Sequence, residues 1–137
     1  MSAFVSNFGP SSANEIYVPD RLIAGVFPTV TDTVNIAAGQ QLTRGALLGM
    51  VTASGNYILS LSAAADGSQN PVAVLADNID TTATGFNAVT PAPVYLTGEF
   101  NVNEMTLGTG FAYPAIKATL RPLSIFIKQG QVATPIL

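Results

Sequence analysis

Residues 94–101 read VYLTGEFN, the cleanest strand pattern in the chain. Val94, Leu96 and Gly98 fall on one face, and Tyr95, Thr97 and Glu99 on the other, which is the period of two that a half-buried β-strand requires. Toward the amino terminus the same period returns in residues 30–36 (VTDTVNI), where Val30, Asp32, Val34 and Ile36 alternate with Thr31, Thr33 and Asn35. Between these runs the sequence predicts a turn at Gly39, a strand over 47–51, a Ser54-Gly55-Asn56 turn, a strand over 57–61, and a buried strand bounded by Pro71 and Asp77. Residues 81–93 (TTATGFNAVTPAP) read as loop or weak edge strand, because their two prolines cannot donate to a ladder.

Toward the carboxyl terminus, Asn101 or Asn103 is placed to cap a short helical turn over 104–107. One short helix follows, with Pro114 in its first turn and Pro122 at its end, and then a strand over 123–128. Up to seven short strands, punctuated by Gly and Pro, with almost no helix, predict a mainly-β fold: a small β-barrel or β-ribbon domain with short helical turns. A chain of 137 residues fits one such core.

Residues 1–18 differ in kind from the rest. Ser, Asn, Gly and Pro dominate the opening, with Phe4, Val5, Phe8, Ile16, Tyr17 and Val18 as apolar or aromatic anchors among few packing partners. The expectation is an extended amino-terminal arm over 1–18, unable to fold alone, ahead of a single β-rich domain over 19–137. The six anchors are the candidate binding residues.

Apolar residues make up 48% of the chain and charged residues only 9%, where about 25% charged is usual. Such a surface is apolar and hydroxyl-rich, and burial in an oligomer or larger assembly is the simplest way to accommodate it. The net charge is −3, and the basic residues Arg21, Arg44, Lys117, Arg121 and Lys128 are scattered singly. No basic patch forms to neutralise several phosphates, so direct nucleic-acid binding is not expected. No apolar run approaches the roughly 20 residues of a membrane-spanning helix, and no membrane partner is expected. The opening MSAFVSNFGPSSANE has neither a basic stretch nor a continuous apolar run, so no secretory leader is expected.

There is no cysteine and no histidine. Disulfides, thiolate metal sites and His-based catalysis are thereby excluded. Two carboxylate pairs, Asp77 with Asp80 and Glu99 with Glu104, remain as candidates for acid and base roles, although turns and caps employ the same residues. Asp66, Ser68 and Asn70 alternate as in a calcium loop, but without its Gly and bidentate Glu they read as a turn. Gly45 and Gly49 are wrongly spaced for a phosphate-binding loop and read as close backbone packing or bulges. Ser12 with Glu15 matches a capping box, but the β-branched, proline-ended run after it opposes a helix. Tyr57, Tyr95, Phe100, Phe111 and Phe126 lack interleaved bases, which favours core packing over base stacking. No catalytic site, metal, cofactor or small-molecule substrate is expected, and the protein reads as a non-enzyme.

Four segments in order, AGQQLTRGALLG (38–49), ASGNYILS (53–60), AADGSQNPVAVLA (64–76) and VYLTGEFN (94–101), resemble the head decoration protein family of tailed phages. The resemblance covers about residues 20–128. It implies a β-clip-like fold, a homotrimer at local three-fold sites on the outer capsid surface, and a role in reinforcing the expanded shell. It further implies the major capsid protein as partner, synthesis in the host cytoplasm and a place in the virion. In that family the amino-terminal segment adds a strand to a coat-protein sheet, and residues 2–18 are the matching segment here. A small trimeric binding module of a phage tail or fibre is the alternative reading, and a carboxylate-pair hydrolase is the third.

Overall fold

A computed structural model describes residues 21–82 and 88–129. In chain order these form β1 (Val30–Ile36), β2 (Gln41–Leu42), β3 (Leu47–Met50), β4 (Tyr57–Leu59), β5 (Pro71–Leu75), β6 (Ile79–Asp80), β7 (Thr90–Asn101), α1 (Tyr113–Leu120) and β8 (Ile125–Lys128). Strands β1, β4, β3, β5 and β7 are neighbours in that order, and β7 pairs back onto β1. The result is a small closed five-stranded barrel, and the mainly-β expectation is borne out. Closure leaves the barrel few free sheet edges of its own.

β7 organises the molecule because it changes partners along its length. Up to Thr97 it pairs antiparallel with β1 and β5, with Val30 opposite Thr97 and Val74 opposite Tyr95. From Gly98 onward it pairs in parallel with β8, Gly98 opposite Ile125 and Asn101 opposite Lys128. Gly98 sits at the change with φ +148°, and a Cβ there would lie 2.8 Å from the Phe100 ring and 3.0 Å from Thr29. Two cores result. Ile36, Leu48, Ala73, Leu75 and Val94 fill the barrel, whereas Leu22, Phe100, Ile116, Leu120, Ile125 and Ile127 form a second cluster at the β8 end.

The prolines at 91 and 93 are the main departure from the sequence reading, since Thr90–Asn101 is one strand and not a loop followed by a strand. The carbonyl of Pro93 accepts the Ala76 N–H at 3.0 Å, which turns its backbone away from β1. Pro91, two residues earlier, has the same orientation, so neither position owes β1 a donor. The pair β2–β6, with Leu42 opposite Ile79, is only two residues long and carries no period to detect. The helical turn expected over 104–107 lies instead at Val102–Glu104, where the Asn101 side chain accepts the Asn103 N–H at 3.0 Å. The strand expected over 123–128 begins at Ile125, because Arg121–Leu123 forms a 3₁₀ turn that Ser124 closes in the left-handed region at φ 63°.

The helix reads as its residues dictate. Pro114 sits in the first turn, where a missing N–H costs nothing. Ile116 and Leu120, four apart and buried, face the second core.

Candidate docking surface

The anchors Phe4, Val5, Phe8, Ile16, Tyr17 and Val18 lie outside the described residues, as does the Ser12–Glu15 pair. What the structure does place is the segment that follows them, over 21–30. Its first residues run antiparallel to the end of β7. The Leu22 carbonyl accepts the Asn101 N–H at 2.8 Å, Ile23 bridges to Phe100, and the Ala24 N–H donates to the Glu99 carbonyl at 2.8 Å. The chain then crosses the outer side of β7 as a strap. The Thr97 hydroxyl donates to the Pro28 carbonyl at 2.9 Å and accepts the Val30 N–H at 3.1 Å.

Glu99 fastens the middle of this strap. Its carboxylate accepts the Phe27 N–H at 2.7 Å on Oε1 and the Lys128 ammonium at 3.0 Å on Oε2. The hydrogen bond from Lys128, with the Phe27 N–H second, holds the Glu99 carboxyl below the usual glutamate range. Gly25 lies directly against this carboxylate: a Cβ there would fall 2.3–2.4 Å from its three terminal atoms. A side chain at residue 25 would have to displace this carboxylate from the position in which it bonds Phe27 and Lys128.

With its backbone bonded inward, the strap presents its apolar side chains outward. Val26 is 98% exposed, and Val30 is 50% exposed. The Phe27 ring meets Phe126 of β8 edge-on, with centroids 5.0 Å apart and planes at 74°. Phe126 was expected in the core and instead belongs to this outer pair. The other aromatics follow the expectation: Phe100 is fully buried, Tyr95 and Phe111 pack against the second core, and Tyr57 packs against the barrel core.

The members of the candidate acid pairs are engaged separately. Asp80 bonds the Thr82 N–H and hydroxyl, and Asp77 accepts the Asn78 N–H. Glu99 belongs to the strap, and Glu104 is exposed in the 3₁₀ turn. The Thr82 hydroxyl lowers the pKa of Asp80, and the Ser68 hydroxyl does the same for Asp66 in its turn. A groove of about 350 Å³ beside β3 is lined by Met50, Thr52, Tyr57, Gly67, Asn70 and Val72, none of them a carboxylate. Among the described residues no three acidic or other metal-ligating side chains cluster. No described helix is long and apolar enough to cross a membrane.

Gly45 and Gly49 are packing residues, as expected. Gly45 has φ +96° and its missing Cβ would meet the Glu104 carbonyl at 2.5 Å. Gly49 lies at a register shift between β3 and β5, where a Cβ would meet the Ser68 carbonyl oxygen at 2.1 Å. Sequence reasoning missed the strap altogether. The one signal for it was Glu99, a lone acid on a strand otherwise free of charge over 90–101.

The family model for the bacteriophage lambda head decoration protein D matches residues 19–125, and the chain belongs to that family. The family is one of structural phage capsid proteins. No curated protein matches the chain.

Proposed function

We propose that the protein is a cement of the phage head, binding as a homotrimer at local three-fold sites on the outer surface of the expanded shell and stabilising it. Its partner is the major capsid protein, and attachment runs through residues 2–18, whose anchors are Phe4, Val5, Phe8, Ile16, Tyr17 and Val18. The observation that carries this reading is the family match over 19–125, which supports the decoration role.

The barrel adds a physical reason for an arm. Its strands are paired around the ring, so a coat-protein sheet edge is better met by a segment outside it. Each large side chain buried by the arm contributes about 1.5–3 kcal/mol, against about 1–2 kcal/mol per residue to order the backbone. One arm therefore binds weakly, and three on one trimer bind firmly through effective concentration. With five basic and eight acidic residues in the whole chain, trimer contacts rest on apolar and hydroxyl side chains more than on ion pairs.

Deleting residues 2–18 tests the reading. The truncated protein is expected to fold and stay soluble yet no longer bind expanded heads assembled without the wild-type protein. Undiminished binding would move attachment to the domain.

A further inference from the structure

We infer that the tip of the strap, Val26 with Phe27 beside it, is a second docking element of the domain itself, and that it seats in an apolar depression on the outer face of the major capsid protein. The inference rests on the proposed capsid-binding role. The exposure and bonding of the tip are observed apart from the arm, and only the choice of its occupant draws on the arm's attachment.

Val26 is 98% exposed, the most exposed large apolar side chain among the described residues. It does not sit on a loose loop. The residues on either side are tied to β7 by Ala24 N–H to the Glu99 carbonyl, Phe27 N–H to the Glu99 carboxylate, and Thr97 to Pro28 and Val30. A valine held out in water by a bonded backbone gains nothing in the free protein, and it is ready to bind at little ordering cost. The Phe27–Phe126 pair stiffens the base of the tip.

Charge and chain direction select the occupant. The carboxylate under the strap is already paired with Lys128, so the tip presents no unmatched charge from that pair and suits an apolar surface. The described chain also enters at Arg21, only five residues before Val26, and an extended chain spans at most about 3.5 Å per residue. The last anchor of the arm, Val18, precedes Val26 by eight residues, so a surface that holds it lies within about 28 Å of the tip.

The test uses Val26→Asp in the full chain, beside the 2–18 deletion, with binding to expanded heads assembled without the wild-type protein as readout. Because Val26 is exposed, V26D is expected to keep the wild-type melting temperature and trimer mass, and to bind heads at least tenfold more weakly. Unchanged binding overturns the inference. Loss of the trimer overturns it as well, since the tip would then pack against another copy. If V26D loses binding while the deletion retains it, the tip stands and the arm reading fails. If the deletion loses binding while V26D does not, the arm stands and the tip fails.

Discussion

The junction around Gly49 and the strap around Gly25 use glycine for the same purpose and reach opposite ends. At the junction, Gly49 lets the Ser68 carbonyl approach β3, Gly108 lets the Ser60 carbonyl approach the loop before α1, and the Ser60 hydroxyl bonds the Ser68 carbonyl at 2.6 Å. Ser60 and Ser68 are fully buried, and this bond ties the end of β4 to the loop before β5. At the strap, Gly25 lets the backbone descend on Glu99, and the bonding leaves Val26 in solvent. Close backbone approach closes the fold in one place and builds an outward-facing surface in the other.

The sharpest way to break the comparison is to add a methyl group at the junction. Gly49→Ala forces a Cβ into a backbone carbonyl that cannot swing aside, and a cost of about 3 kcal/mol is expected. For a domain of this size that lowers the melting temperature by about 10 °C. Gly55→Ala is the control: its φ of +76° is strained for alanine, but nothing lies within 4 Å, so only about 1 kcal/mol should be lost. Equal losses at the two sites would mean that the junction is not tightly packed.

A smaller effect, confined to the strap, should follow from Glu99. Its folded pKa lies below the ordinary glutamate value of about 4.3, so its contribution is complete above that value and lost as pH falls through the lower folded value. Acidification should release the strap while the barrel stays folded, seen as faster hydrogen exchange or a shifted resonance at the Phe27 amide. Glu99→Gln should mimic part of this at neutral pH, since it keeps an acceptor for Phe27 and loses the charge that holds Lys128. A Phe27 amide that ignores both changes would show that Glu99 does not fasten the strap.

The barrel was legible wherever residues repeat with period two. VTDTVNI and VYLTGEFN announced β1 and the second half of β7, and Ser54-Gly55-Asn56 announced the turn between β3 and β4, with Gly55 at positive φ. Pro114 and Pro122 marked the start and end of α1. The first half of β7 was not legible, because whether a proline breaks a ladder depends on which way its missing N–H would point. The strap was hidden for a related reason: its bonds join residues 24–30 to 97–99 and to Lys128, so no local pattern records them. Glu99, read as half of an acid pair with Glu104, is a structural fastener whose partners lie 72 and 29 residues away.

The central claim, that this domain cements the phage head, is met most directly by electron cryomicroscopy of expanded heads assembled without the protein and then incubated with it. Three copies of the barrel should appear around each local three-fold site on the outer surface, with the β7–β8 side and the strap toward the shell. Bare shells, or density confined to tails or fibres, would contradict the account.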